Sequence, residues 1–351
     1  MPTRRSVLRV AAASIATVAA LALVPAEGWA ALRPGASLAR PGIDAPDGIA
    51  TGPDGALWFA NDGDNAIGRI TASGRVTIFE GTGISGPTDI TSGPDDAMWF
   101  TNSDGNSIGR ITMSGDVTLF TGDGVDDPVG IAEGPDGALW FTNFGNSSIG
   151  RINSSGVITN FVGRGVAAPD GITAGPDDSL WFTNQNSDTI GRITAAGRIT
   201  TYANANIETP AGIAEGPGGT VWFTNYANDS IGRITAAGAI TTFDGLGIDE
   251  PEAITRGPGA TMWFVDYGDA TIGRISSVGG VRLFFGRDVN HPLDIAFGRD
   301  RDLWFTNLFD NAIGRLTPKG RMNFFTASGS NPPVGAAPRT GTAPPIVLSP
   351  R

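Results

Sequence analysis

Short apolar segments alternate with polar turns along most of the chain. Residues 128–161 contain four such segments, each four to six residues long and rich in Ile, Val, Leu, Trp and Phe. A Gly-Pro-Asp-Gly turn at residues 134–137 separates the first two segments, because proline fixes φ at about −65° and the Asp and Gly complete the reversal. Apolar side chains fall on both sides of the segments, so the pattern predicts a four-stranded antiparallel meander, strands a to d, covered on both faces.

The same pattern recurs in seven copies with a fixed period of 41 residues and no insertion or deletion. Self-similarity at such a period is typical of proteins in which one supersecondary unit is repeated. Seven copies of a four-stranded meander predict an all-β fold, a seven-bladed β-propeller of four-stranded antiparallel blades over residues 44–326. A Trp-Phe pair marks strand b of each copy: Trp58-Phe59, Trp99-Phe100, Trp140-Phe141, Trp181-Phe182, Trp222-Phe223, Trp263-Phe264 and Trp304-Phe305.

Two repeated features are predicted to be structural. The Trp and Phe of strand b are adjacent and therefore point to opposite faces, where they are expected to fill the gaps on either side of the blade. An Ile-Gly-Arg tripeptide follows in every copy, from Ile67 to Ile313. Its glycine permits a close backbone approach, and its arginine is expected to pair with a carbonyl or an acidic group of its own or the next blade.

The composition changes this picture by what it excludes. The chain has no cysteine, which excludes disulfides, thiolate metal sites and cysteine nucleophiles. Without residues 1–30 it carries 21 basic and 34 acidic residues, a net charge of −13. This charge would repel nucleic-acid phosphates, so nucleic acid is not a predicted partner. The short, uniform loops offer no dedicated interface and favour a monomer.

Residues 1–30 predict an export signal. Arg4 and Arg5 precede an apolar run from Val10 to Val24, which is shorter than the roughly 20 residues that a membrane span needs. The paired arginines resemble a twin-arginine signal. Cleavage is expected after Ala30, with Ala26 as an alternative position, which predicts a periplasmic or extracellular protein without a stable membrane span. An uncleaved N-terminal anchor is the other interpretation.

The segments on either side of the repeats have a different composition. Residues 31–43 are interpreted as a linker that precedes the first blade. Residues 327–351 consist mainly of Pro, Gly, Ser, Thr and Ala without an apolar period, so they predict a disordered tail.

A functional site is predicted on the rim where the seven copies differ. The start of strand a and the end of strand b share this rim, and the residue after the strand-a proline varies from copy to copy. Because strand a lines the central channel, Glu252, Asp266, His291 and Asp294 are expected around one sector of its mouth, near blades six and seven. The predicted ligand-binding residues are Asp47, Asp170, Tyr226, Tyr267, Asp294 and Asn307.

Carboxylates beside an imidazole can bind a cation or a polar ligand, or transfer a proton. His291 and Glu252 are the candidate catalytic bases, and Asp266 and Glu252 are the candidate metal ligands. The predicted partner is a small molecule or peptide ligand at the channel mouth. Ordinary solvation of polar loops is the alternative interpretation of the same residues.

The motif Pro-x-Gly-Ile-Thr/Ala-x-Gly-Pro-Asp-Gly-x-Leu-Trp-Phe-Thr, followed by Asn-x-Ile-Gly-Arg-Ile-Thr, closely resembles the repeat of the virginiamycin B lyase family over residues 44–326. The resemblance implies a seven-bladed propeller and a magnesium-assisted β-elimination. In that reaction a histidine removes the proton α to an ester and opens a cyclic depsipeptide without water, while the metal stabilises the developing enolate.

The resemblance also implies particular site residues, and this chain departs from them. It implies a histidine after the blade-six proline, where the chain has Glu252. It implies Glu-Pro-His at the entry to blade seven, where the chain has His291-Pro292-Leu293, and a glutamate at Asn307. We therefore expect an exported propeller that binds a ligand near blades six and seven without the family's catalytic histidines. The alternatives are a carbon-oxygen lyase that opens a cyclic depsipeptide with rearranged residues, and a lactonase-like hydrolase.

Overall fold

A computed structural model describes residues 42–245, 247–326 and 329–330 of the chain. These residues form seven antiparallel sheets in chain order, and within each sheet consecutive strands are neighbours. The prediction of an all-β, seven-bladed propeller with four-stranded blades is confirmed. The predicted export signal, most of the predicted linker and residues 327–328 and 331–351 of the predicted tail lie outside the described residues.

The blades follow one another without interruption. Blades one to four contain β1 (Pro46–Thr51), β2 (Leu57–Asn61), β3 (Ala66–Ile70), β4 (Val76–Glu80), β5 (Pro87–Ser92), β6 (Met98–Asn102), β7 (Ser107–Ile111), β8 (Val117–Phe120), β9 (Pro128–Glu133), β10 (Leu139–Asn143), β11 (Ser148–Ile152), β12 (Ile158–Phe161), β13 (Pro169–Ala174), β14 (Ser179–Asn184), β15 (Thr189–Thr194) and β16 (Ile199–Ala203). Blades five to seven contain β17 (Pro210–Gly216), β18 (Thr220–Asn225), β19 (Ser230–Thr235), β20 (Ile240–Asp244), β21 (Pro251–Gly257), β22 (Thr261–Asp266), β23 (Thr271–Ser276), β24 (Val281–Phe284), β25 (Pro292–Phe297), β26 (Leu303–Asn307), β27 (Ala312–Leu316), β28 (Met322–Thr326) and β29 (Gly329–Ser330).

Every blade ends in an outer strand d from its own repeat. The last blade closes with β28, and the two residues of β29, which fall in the range predicted to be a tail, pair with Phe325 and Thr326. Ile43, the last residue of the range assigned to the linker, is buried in the core beside blade one. It occupies the repeat position of Ile84.

The core lies between the blades. Trp58 packs in the same cluster as Phe100 of blade two, whereas Phe59, the next residue, packs with Trp304 of blade seven. Equivalent clusters occupy all seven interfaces, so the strand-b pair does point to opposite faces, as predicted. Each of the seven strand-b tryptophans is fully buried and stacks on an aromatic ring of its own strand d, at 5.3 Å in the case of Trp58 and Phe79. Burial of one such ring stabilises the fold by about 3 kcal/mol.

The repeated glycine and arginine also have structural roles. Gly68 faces the ring of Phe59 on the neighbouring strand, and a Cβ there would lie 2.0 Å from that ring. Arg69 Nε donates to Asp54 Oδ2 at 2.6 Å, and Asp54 Oδ1 accepts a hydrogen bond from Trp58 Nε1. The predicted pairing of the arginine with an acidic group of its own blade is confirmed in this blade.

Helix is almost absent from the described residues. A single 3₁₀ turn, Gln185–Ser187, is the one helical element there. No helix in this part of the chain is long and apolar enough to cross a membrane.

Candidate functional site

The inner strands of the seven blades enclose a central cavity of about 150 Å³. The register of strand a is irregular near its start, between Pro46 and Ile49 in blade one, and the residues of this irregular stretch face the cavity. They lie on the rim that also carries the end of strand b, because Pro46 pairs with Asn61. Five acidic side chains line this mouth: Asp47, Asp89, Asp170, Glu252 and Asp294.

Hydroxyl groups of strand b fix the blades around this mouth. Thr142 Oγ1 accepts the N–H of Gly130 in its own blade and donates to the carbonyl of Asp170 in the next blade, at 2.6 Å. Thr224 makes the corresponding bond to the carbonyl of Glu252, at 2.8 Å. Blade six has Val265 at this position. Its contact with blade seven therefore has no hydroxyl bridge of this kind.

The channel carboxylates differ in how they are held. Asp170 Oδ2 accepts a hydrogen bond from Gln185 Nε2 at 2.6 Å. Both oxygens of Asp294 accept backbone N–H groups, Oδ2 from Ile49 and Oδ1 from Ile295, each at 2.7 Å. Asp47, Asp170 and Glu252 are half-buried. Asp89 and Asp294 are half-buried as well, but each of them uses both carboxyl oxygens to accept backbone N–H groups. Asp47, Asp170 and Glu252 are therefore the channel carboxylates that we consider for contact with a ligand that enters from the rim.

Asp266 and Asn307 lie at the ends of strand b, fully buried. Asp266 Oδ1 accepts the N–H of Asp249 at 2.7 Å, and its Oδ2 accepts a bond from Thr271. Burial raises the pKa of Asp266 to about 7, although both hydrogen bonds act in the opposite direction. Asn307 Oδ1 likewise accepts the N–H of Asn290 at 2.7 Å. Neither residue lines the central cavity.

His291 lies on the rim, in the left-handed backbone region with φ of 51°. Its ring stands edge-on to Tyr267 and Phe309, with ring centroids 4.7 and 4.5 Å apart, and its Nδ1 lies 2.8 Å from Asn290 Oδ1. Burial lowers the pKa of His291, and the charge of Glu250 opposes that effect. His291 is thus held by its neighbours outside the lining of the central cavity.

A line of side chains on the rim connects blades five, six and seven. Tyr226 donates its hydroxyl to Glu250 Oε2 at 2.9 Å, and Glu250 acts electrostatically on His291. His291 in turn contacts Tyr267. Of the predicted site residues, Asp47, Asp170, Glu252 and Asp294 are brought together in the channel, and Tyr226, Tyr267 and His291 lie on the rim.

Sequence reasoning did not assign a role to Asp89, Glu250 or Phe309. Asp89 had a signal in the sequence, because it stands where most copies of the repeat have glycine. Glu250 occupies the repeat position of His291, directly before the strand-a proline. Phe309 gave no signal, because an aromatic residue in a turn between strands b and c has no periodic counterpart.

The described residues do not offer the magnesium ligands that the resemblance implies. No group of three or more His, Asp or Glu side chains in that part of the chain could hold a metal ion. Leu293 has no ligand atom and is buried in the channel wall. The Asn307 amide donates to the carbonyl of Asp288 and accepts from Asn290. Of the three positions 252, 293 and 307, at which the resemblance implies site residues, only position 252 carries an acidic group in this chain.

The fold and the channel mouth define a seven-bladed propeller with an acidic opening, and comparisons with known proteins specify its family. The model of the virginiamycin B lyase family matches residues 37–202 and 162–334. The chain therefore belongs to this family. A comparison with curated proteins found no match.

Solved structures of the family are similar in both sequence and fold. A streptogramin B lyase structure shares 31% identity, with 80% of this chain and 94% of that chain covered, at a TM-score of 0.73. A catalytically inactive histidine-to-alanine variant of virginiamycin B lyase from Staphylococcus aureus, with quinupristin, shares 33% identity. That comparison covers 78% of this chain and 94% of that chain, at a TM-score of 0.73.

Proposed function

We propose that this member of the family binds a small molecule or peptide with a positively charged group at the mouth of the central channel, and that it does not open streptogramins. The observation that carries the proposal is the set of five acidic side chains around the cavity, with no Lys, Arg or His among its described lining residues. A narrow opening lined by charges of one sign concentrates oppositely charged ligands. Asp47, Asp170 and Glu252 are the proposed contacts.

The second half of the proposal is supported by the position that the resemblance assigns to the base. Leu293 stands there, 7% exposed, and a hydrocarbon side chain cannot accept a proton. His291 lies two residues earlier and is packed between two aromatic rings. A base must come within about 2.6 to 3.2 Å of its partner atom, directly or through one water. A displacement by two residues is expected to exceed that reach.

Binding can be measured by calorimetry with spermidine, a flexible polyamine, as the probe. We expect binding that weakens as salt concentration rises, because exposed charges are screened. Asp47→Asn, Asp170→Asn and Glu252→Gln should together abolish the heat signal. Asp116→Asn is the matched control, since Asp116 follows strand c and bonds within its own turn, away from the channel. Equal loss in the control, or no loss in the triple variant, would contradict the proposal.

The absence of lyase activity is tested with quinupristin as substrate and magnesium in the buffer. The unmodified protein should leave quinupristin intact. The variant Glu252→His, Leu293→His, Asn307→Glu should gain detectable ring opening. Linearisation without a change of mass by the unmodified protein, abolished by a chelator and by His291→Ala, would instead favour a lyase with rearranged residues.

Export is the remaining part of the proposal and is supported by the sequence of residues 1–30. The mature protein should begin at Ala31, which intact-mass measurement of the protein recovered from its natural host can establish. A mass that corresponds to the full chain would favour the uncleaved anchor.

A further inference from the structure

Asp89 and Asp294 occupy the position of the repeat at which the inner strands of neighbouring blades approach closely. A Cβ added to Gly130 would lie 2.5 Å from the carbonyl oxygen of Asp170 in the next blade. Most blades therefore have glycine at this position, and a residue with a side chain requires a local adjustment of the two strands. The seven residues at this position are Gly48, Asp89, Gly130, Gly171, Gly212, Ala253 and Asp294.

Each of the two carboxyl groups joins two blades. Asp294 Oδ2 accepts the N–H of Ile49 in blade one, and its Oδ1 accepts the N–H of Ile295 in its own blade. Asp89 Oδ2 accepts the N–H of Ile131 in blade three at 2.9 Å, and its Oδ1 accepts that of Ile90 at 2.7 Å. The geometry is the same at both places. One carboxyl group ties blade seven to blade one, where the ring closes, and the other ties blade two to blade three.

The two carboxyl groups lie on either side of blade one. A Cβ on Gly48 would lie 2.8 Å from Asp89 Oδ1, while the next residue, Ile49, donates its N–H to Asp294. Both aspartates keep some contact with the channel, yet protein atoms surround their carboxyl groups. Two acidic groups are thereby held close together in a poorly solvated place.

The other charged groups that face this pair are also acidic. Asp47 faces it from β1, Asp170 from β13 and Glu252 from β21. The lining residues from β9 and β17 are apolar or glycine. No basic side chain lies among the described lining residues, so no cation there offsets the repulsion between ionised carboxylates.

We propose that Asp89 and Asp294 form a proton-dependent brace of the ring, which ties blade seven to blade one and blade two to blade three while the pair retains a proton, and which loosens when both carboxyl groups ionise. The brace is a property of the fold and does not depend on the proposed ligand.

The direction of the pH dependence follows from the surroundings of the two groups. Burial, reinforced by the charge of Asp294, raises the pKa of Asp89 to about 8, against the effect of its two backbone donors. Burial raises the pKa of Asp294 to about 6. The folded ring thus binds these protons more tightly than the unfolded chain. The stability that they contribute is complete below the unfolded value of 3.8 and is lost as pH rises through about 6 and 8.

Thermal melts across pH test the brace. Asp266 titrates in the same range, so all proteins should carry Asp266→Asn. We expect Tm of this parent to fall by at least about 5 °C between pH 5 and pH 9. Adding Asp89→Asn and Asp294→Asn should reduce that fall to less than half. Adding Asp47→Asn instead, which removes a channel carboxylate outside the pair, should leave most of it. An equal fall in Tm in the parent and in the variant with Asp89→Asn and Asp294→Asn would overturn the proposal.

Hydrogen exchange of the unmodified protein provides a test that does not depend on folding of the variants. The amides of Ile49 and Ile131 donate their N–H groups to Asp294 and Asp89. Those of Ile172 and Ile213 lie at the same repeat position, but the preceding blade has glycine in place of the aspartate. After correction for intrinsic exchange, the first two amides should lose at least about tenfold more protection between pH 5 and pH 9, which corresponds to 1.4 kcal/mol. Equal losses at all four amides would contradict the brace.

Discussion

The side chain at the end of strand b ties the connection from the preceding blade to its own blade. In six blades its oxygen accepts the backbone N–H of the residue 17 positions earlier, as Asn61 does from Asp44 and Asp266 does from Asp249. In blade five the corresponding Asn225 Oδ1 is buried and has no hydrogen-bond partner among the described residues. Asp266 thus takes the place of a structural asparagine.

The charge of Asp266 should destabilise the protein at neutral and alkaline pH. Its folded pKa of about 7 lies above the unfolded value of 3.8, so its protonated form favours the fold at acid pH, and that contribution is lost as pH rises toward and past 7. We expect Asp266→Asn to raise the free energy of unfolding at pH 8 by on the order of 2 kcal/mol and to change it little at pH 4. Urea denaturation at the two pH values measures the difference.

The reverse substitution is the control for this prediction. Asn143 makes the corresponding bonds, accepting from Asp126 and donating to Ser148. Asn143→Asp should therefore lose stability at pH 8 and recover most of it at pH 4. If the change in the free energy of unfolding is the same at pH 4 and pH 8 for each variant, the burial of Asp266 does not control its titration.

At the scale of the element, the turn between strands a and b links an arginine to a tryptophan through one aspartate. Asp136 Oδ1 accepts from Trp140 Nε1 at 3.0 Å, and its Oδ2 accepts from Arg151 Nε at 2.7 Å. Blades five and six have glycine in place of this aspartate, and their tryptophans donate to Thr220 and Thr261 instead. The turn can therefore satisfy its buried indole in two ways.

Removal of the aspartate should destabilise a blade that has no such threonine. We expect Asp136→Ala to cost about 1–3 kcal/mol, because it leaves the Trp140 indole N–H unpaired. Asp136→Asn should cost less, since an amide oxygen can still accept that N–H. Although burial acts against it, the bonds from Trp140 and Arg151 hold the pKa of Asp136 below its usual value. Its contribution is thus present above the unfolded pKa and lost as pH falls. Guanidinium denaturation at pH 7 and pH 3 checks both expectations.

The strands and turns were predictable because their signals are local. Proline and glycine in the a–b turn, and alternation within strand b, depend on neighbours within a few residues in the chain. The brace was not predictable, because Asp294 and Ile49 lie 245 residues apart and meet only when the ring closes. The sequence marked Asp89 and Asp294 as exceptions at a glycine position but gave no partner for either.

At the scale of the whole molecule, the ring and its family followed from the repeat, and the rim that carries the mouth followed from its variability. The sequence predicted the residues of the site less accurately. Asp47, Asp170 and Glu252 line the channel, whereas His291 packs against Tyr267 on the rim. Repeat position determines where the backbone lies, and it gives the position of His291 a left-handed φ in every blade. The direction of the side chain there depends on its aromatic neighbours, which periodicity does not encode.

The closing of blade seven by its own outer strand has a mechanical consequence. No described strand is shared across the contact with blade one, which depends on side chains such as Phe59 and Trp304 and on the Asp294 bond. Under tension on the two chain ends, this seam should part first and at low force, since no ladder of backbone bonds is sheared there. The blades should then unravel singly, each releasing 41 residues, or about 140 Å of contour length. An optical-tweezers trace in which the first rupture needs as much force as the later steps would show that the seam is as strong as a blade.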